Sequence, residues 1–183
     1  YAPKRDFLLS SLPEKNITVL DVGCGIGHFV FTMIDSGKKA FGIDIGKAGI
    51  DYGNHQISET LNQKPLVGCS ETEFIEKIKN TEANVISALG VIEHLREPNK
   101  FFEAFKDSRS KYLFYSVPMF SMSTIFENIF SGIFPRQLSG GHTHLFTEES
   151  IKMMHNICDV KPIAEWRFGT DMIDLYRSMK ISL

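Results

Sequence analysis

An α/β fold, a doubly wound and mostly parallel sheet of about seven strands with helices on both faces, is predicted by three observations. Apolar runs of strand length alternate with segments of helical apolar spacing from residue 17 to residue 117. The first run passes straight into a turn with glycine at alternate positions, Gly23, Gly25 and Gly27. The first two runs each carry an acid at or next to their end, Asp21 and Asp44. Runs that are apolar throughout suit strands buried on both faces, and strand-helix-strand units this short are expected to be parallel with right-handed crossovers.

Each element has its own local reason. PKRDFLLSSL (3–12) reads as a short amphipathic helix, closed by Pro13 and the polar turn Glu14, Lys15, Asn16. ITVLDV (17–22) is the first strand. After Gly27 the apolar residues Val30, Met33 and Ile34 recur at helical spacing, and Gly37 stands where a helix C-cap belongs. KAFGID (39–44) is the second strand, and 47–61 reads as helix despite Gly49 and Gly53. KPLVG (64–68), ANVISALG (83–90) and KYLFYSV (111–117) continue the strands. Between them lie a helix over ETEFIEKIK (71–79) and one after Pro98 with Phe101, Phe102 and Phe105 as its stripe.

The alternation breaks after Pro118. Residues 121–134 carry Met122, Ile125, Phe126, Ile129, Phe130 and Ile133 at helical intervals, a stripe expected to pack on the sheet edge as ordinary core. The polar turn QLSGGHTH follows. Thr147 then caps a helix whose first turn holds Glu148 and Glu149, where carboxylates suit the helix dipole, with Ile151, Met154 and Cys158 on one face. VKPIAEWRF (160–168) is expected as a last strand, and 170–183 is ambiguous.

The 183 residues, 43% hydrophobic, suit a single domain over 1–183 with a helical cap insertion at about 118–146. A formal net charge of -2, with no Lys/Arg run longer than a pair, argues against nucleic acid as a partner. Cys24, Cys69 and Cys158 lack CxxC spacing, which argues against a disulfide framework or zinc site and for a reducing, cytoplasmic setting. No apolar stretch reaches the roughly 18 residues of a transmembrane segment. A homodimer is compatible with these features.

The glycine turn excludes two common ligand classes by spacing. A dinucleotide fingerprint GxGxxG counted from Gly23 demands glycine at position 28, which is His28; a phosphate cradle GxxxxGK[ST] demands a Lys-Ser or Lys-Thr pair, and none follows. Asp21-x-Gly23-x-Gly25-x-Gly27 instead resembles the first motif of the class I S-adenosylmethionine-dependent methyltransferases, whose fold is Rossmann-like. ANVISALGVIEHLREP (83–98) is similar to the fourth-strand segment of small bacterial and ubiquinone-biosynthesis O-methyltransferases, where a strand runs into a Glu-His sequence and a proline-started helix. The likeness in pattern spans roughly residues 17–157.

This resemblance implies S-adenosylmethionine as cofactor and S-adenosylhomocysteine as product. The cofactor has no phosphates but a zwitterionic amino acid tail, whose carboxylate can face helix-start N–H groups while its ammonium faces Asp21. Glycines at 23, 25 and 27 let backbone approach the ligand. Asp44 would accept from the ribose hydroxyls, with Cys24 and Ile45 beside it. Cys69 would pack on the adenine, with Ser70 or Glu71 as polar contact, while Leu89, Gly90 and Val91 would lie by the methionine part.

Methyl transfer from a sulfonium is an in-line displacement, so alignment carries much of the catalysis, and a hydroxyl acceptor must also lose its proton. His94 is the first candidate base, with Glu93 as its orienting partner or as a substrate or metal contact. His142 and His144 form a second group in GGHTHLF, and His144 joins the catalytic candidates. Two histidines without a clear third ligand do not make a metal site, so no metal ligand is assigned and a metal requirement stays open. The Gly140-Gly141 pair suits a loop folding over the acceptor. The expected function is S-adenosylmethionine-dependent methylation of a small molecule, foremost on oxygen. The alternative is a catalytically inactive binding or regulatory protein of the same fold, and Glu93, His94 and His144 are the residues that separate the two.

Overall fold

The computed structural model describes residues 1–129 and 141–167. Within them, β1 (Thr18–Val22), β2 (Lys39–Asp44), β3 (Leu66–Gly68), β4 (Val85–Leu89) and β5 (Tyr112–Ser116) form one sheet in the order β3-β2-β1-β4-β5, every pair parallel. The helices are α1 (Ala2–Ser11), α2 (His28–Asp35), α3 (Lys47–Leu61), α4 (Glu71–Lys79), α5 (Pro98–Asp107), α6 (Met122–Ile129) and α7 (Glu148–Cys158). The chain builds outward from β1 to β3, then returns to the other side of β1 for β4 and β5. Strand order therefore reverses between β1 and β4, and the crevice beyond their carboxyl ends is where such sheets take ligands.

The period of two along β1 divides the core. Val19 points to the layer of Leu8, Phe29, Met33, Ile50 and Ile57 from α1, α2 and α3. Leu20 and Val22 point to Phe74, Ile78, Phe101, Phe105 and Met154 from α4, α5 and α7. Burial on both faces is the reason the strand is apolar at nearly every position, and it makes Asp21 conspicuous. Helix ends follow local chemistry: Ser70 with Glu73, and Thr147 with Ser150, close capping boxes.

Gly53 explains why α3 tolerates a glycine. A Cβ there would stand 2.3 Å from the Ile26 carbonyl oxygen, so the helix lies directly on the backbone of the glycine turn.

Three expectations are corrected. The described sheet has five strands rather than about seven, within the same fold class. Residues 160–167 join no ladder: Pro162 has no N–H to donate, every residue from Lys161 to Arg167 is exposed, and Trp166 rests on Phe7 of α1 with ring centroids 5.7 Å apart. In α6, Met122, Ile125 and Ile129 are exposed and Phe126 is half-buried, while Thr124 and Glu127 are buried, so the described part of its apolar stripe is not ordinary core. The rest of the helix expected to residue 134, Gly140, Phe168 and the ambiguous 170–183 lie outside the described residues. The segment containing α6 is closed at its base, where the Phe120 amide donates to the Phe146 carbonyl (2.7 Å) and the Phe146 amide to the Pro118 carbonyl (3.1 Å).

Candidate active site

The turn after β1 is bound to the end of β2. The amides of Gly23 and Cys24 both donate to the Ile43 carbonyl at 2.8 and 3.1 Å, and the Gly25 amide donates to Asp44 Oδ2 at 2.8 Å. Gly25 has φ +55° with nothing within 4 Å of where a Cβ would be, so this bend needs glycine for its backbone and faces open space. Cys24 turns its Sγ inward, against Gly42. Burial first, and then the Asp21 and Asp44 carboxylates, push its thiol far above the ordinary range, which makes it packing rather than a nucleophile. Gly27 brings no capping side chain to α2, leaving that helix start to whatever occupies the crevice.

Three acids stand along the strand ends. Asp21 is buried beside Ser87, whose hydroxyl donates to its Oδ1 at 2.6 Å; β1 and β4 place the two in register. Burial pushes the Asp21 carboxyl up to about 7, against the downward pull of the Ser87 hydrogen bond and of Lys4. Asp44 ends β2 and accepts on both oxygens, from the amides of Gly25 and of Gly46 (2.7 Å). Lys4 reaches the site from α1. Its own burial lowers its pKa, and the negative charges of Asp21 and Glu93 oppose that shift. Tyr1 stacks on His28 at 5.8 Å, so α1 lies against the start of α2.

Glu93 and His94 sit in a one-turn 3-10 helix, Ile92–His94, immediately beyond β4. Gly90 makes the bend with φ +74°, and the Glu93 carboxylate folds back toward it. The loop at 141–146 returns onto this turn. The Thr143 amide and hydroxyl and the His144 amide all donate to the Glu93 carbonyl, at 2.8, 2.7 and 3.2 Å. His94 Nδ1 lies 3.2 Å from the Gly141 carbonyl oxygen, and the His94 and His142 rings stand 4.9 Å apart. His144 turns toward its neighbours instead, with Nδ1 2.8 Å from the Thr143 hydroxyl and its ring beside Phe146.

The remaining candidates divide by exposure. Ile45 is 62% exposed next to Asp44, an apolar surface open to a ligand. Cys69 is half-buried, and its amide donates to the Asp44 carbonyl (3.0 Å). The Ser70 amide and hydroxyl are both engaged with Glu73 in the α4 cap. Leu89, half-buried, and Gly90, exposed, close β4 at the crevice. Sequence reasoning passed over Ser87, Lys4 and Thr143. A serine inside an otherwise apolar strand is the signal for Ser87, since a buried hydroxyl needs a partner. For Lys4 and Thr143 no local signal exists, because chain packing alone brings them to the site.

With this geometry in hand, likeness to known proteins becomes informative. The profile of a family described as "Methyltransferase domain" matches residues 1–156. The tRNA U34 carboxymethyltransferase of Helicobacter hepaticus is 29% identical over 100 residues, 51% of this chain and 31% of its own length. The mitochondrial ubiquinone biosynthesis O-methyltransferase of Dictyostelium discoideum is 29% identical over 101 residues, 50% of this chain and 32% of its own. The chain thus spans about a third of the length of these curated relatives. The crystal structure of magnesium protoporphyrin IX methyltransferase from Synechocystis, with bound SAH, superposes with TM-score 0.65 at 15% identity, over 85% of this chain and 72% of that one. At such identity the likeness is one of fold.

Proposed function

Because the chain belongs to the methyltransferase-domain family, we propose that it takes a methyl group from S-adenosylmethionine and passes it to an oxygen of a small molecule, releasing S-adenosylhomocysteine. The observation that carries this reading is the acidic edge of the crevice, with Asp21 and Asp44 on either side of the glycine turn and Glu93 beyond the next strand. Such an edge suits a ligand that carries a sulfonium and an ammonium and no phosphate.

Each part of the cofactor finds a matching group. Asp21 faces the ammonium, and the uncapped start of α2 supplies N–H groups for the carboxylate. Asp44 retains lone pairs beyond those used by Gly25 and Gly46, and these accept from the ribose hydroxyls. Ile45 follows Asp44 in the chain and the Cys69 amide donates to the Asp44 carbonyl, so both are at hand to pack on the adenine. Since Ser70 is committed to its cap, Glu71 is the better polar partner for the base.

On the acceptor side, Nδ1–H of His94 donates to the Gly141 carbonyl, which leaves Nε2 with its lone pair. His94 then assists removal of the acceptor proton as the oxygen attacks the methyl carbon and the carbon–sulfur bond breaks. The segment 118–146 is the cap of a single domain, with its 141–144 loop facing the acceptor.

Calorimetry with S-adenosylhomocysteine tests the donor half. Asp44→Ala should weaken binding at least about tenfold, the scale of a lost charge-assisted hydrogen bond; unchanged affinity removes the ribose assignment. His94→Ala should keep cofactor binding and lose methyl transfer by about 10²-fold or more in a labelled-cofactor acceptor screen. Full activity in that variant ends its role, and a protein that binds S-adenosylhomocysteine but methylates no acceptor belongs to the inactive class.

A further inference from the structure

We propose that Ser87 is a positioning residue of the cofactor site, its hydroxyl holding one oxygen of the Asp21 carboxylate so that the other meets the ammonium of S-adenosylmethionine. Val19 of β1 and Val85 of β4 pair in register and pack in the layer formed by α1, α2 and α3. The period of two brings Asp21 and Ser87 up on that same face, paired with each other and nearer the carboxyl ends of the strands. Ser87 is 0% exposed between the buried Ile86 and Ala88, in a strand whose other residues are apolar. A hydroxyl sealed from solvent needs a partner within the protein, and it finds one in Asp21 Oδ1 at 2.6 Å. Its single proton is given to that oxygen, so β4 fixes one corner of a carboxylate whose root β1 already holds.

The same hydrogen bond acts on charge. It favours the ionised carboxylate and opposes the burial that favours the neutral acid. Lys4 from α1 also favours the charge, less strongly than Ser87, while Asp44 at the end of β2 disfavours it. Cys24 in the intervening turn is kept a neutral thiol, and Glu93 beyond β4 shares the field of Lys4. Ser87 is therefore the strongest influence drawing Asp21 toward the anion.

An ammonium binds the carboxylate and not the neutral acid. Removing the Ser87 hydroxyl thus weakens cofactor binding in two ways, by freeing the Asp21 carboxyl to rotate and by leaving more of it protonated near neutrality. This role rests on the methyl-transfer reading above for the identity of the ligand, and deepens it by naming what holds the ammonium's partner in place.

The test is calorimetry of the full chain with S-adenosylhomocysteine, which keeps the ammonium, between about pH 6 and pH 8. Wild-type affinity should rise with pH and level off above about 7, as Asp21 ionises. In Ser87→Ala the rise should move to higher pH, binding at about pH 7 should weaken about fivefold or more, and more protons should be released on binding. Ser87→Cys keeps the size of the side chain but donates weakly, so it should fall between the two and preserves the core if the alanine variant does not fold. Combined with Asp21→Asn, Ser87→Ala should alter neither the affinity nor its pH profile further. A serine that only filled space would change stability and leave those profiles where they are. Superimposable profiles for the wild type and both Ser87 variants overturn the proposal, as does an equal loss in the Asp21→Asn background. A wild type that binds no S-adenosylhomocysteine at any pH sinks the methyl-transfer reading itself, an outcome distinct from a wild type that binds and variants that match it.

Discussion

Asp21 is held in a state that its ligand would reverse. Buried and bonded to Ser87, its carboxyl rises from an ordinary 3.8 to about 7. A raised value means that the folded protein keeps a proton the unfolded chain has released. The stability Asp21 contributes is therefore complete below its unfolded pKa and is lost as pH rises through about 7. Denaturant unfolding of the ligand-free protein should show stability falling over that window, and Asp21→Asn should flatten the fall. An ammonium placed beside Asp21 favours the carboxylate, so cofactor binding near neutrality should release a proton. Calorimetric enthalpies in buffers of different ionisation enthalpy read that release, and the Asn variant should show none.

At the scale of elements, α3 separates helix propensity from packing. Its two glycines, Gly49 and Gly53, look alike in sequence and differ in what surrounds them. A Cβ on Gly49 would meet the Gly25 backbone at 3.6 Å, ordinary contact, whereas one on Gly53 would meet the Ile26 carbonyl at 2.3 Å. Alanine gains up to about 1 kcal/mol over glycine within a helix. Overpacking against backbone that cannot yield costs about 1–3 kcal/mol. Urea denaturation should thus find Gly49→Ala neutral or slightly stabilised and Gly53→Ala destabilised; equal effects would mean that α3 does not press on the turn. The same comparison applies to α6, whose periodicity was legible but whose exposed side was not, because a helical stripe marks two faces without saying which one meets the protein.

Charge belongs to the whole molecule. A net charge of -2 and an acidic crevice edge at Asp21, Asp44 and Glu93 do not favour a phosphate backbone. Although some of its relatives act on tRNA by name, unmodified tRNA transcripts should show no saturable binding to this chain below about 100 μM at physiological salt, the weak end of non-specific affinity. Fluorescence anisotropy measures this, and micromolar binding would move the acceptor from small molecules to RNA.

The sequence by itself determined the layered α/β architecture, because strand and helix periods, caps such as Ser70 and Thr147, and the glycine turn are local properties that neighbouring residues enforce. It also determined where β1 and β2 end, and so which acids, Asp21 and Asp44, reach the crevice. Tertiary structure decided what crosses between distant segments. The pairing of Ser87 with Asp21 depends on the register of β1 against β4. The arrival of Lys4 depends on how α1 packs, and the choice of His142 over His144 beside His94 depends on how the 141–146 loop bonds to Glu93. Folding also brings Glu93 and His94 to His142 from some fifty residues earlier in the chain, a proximity set by chain closure rather than by any local preference.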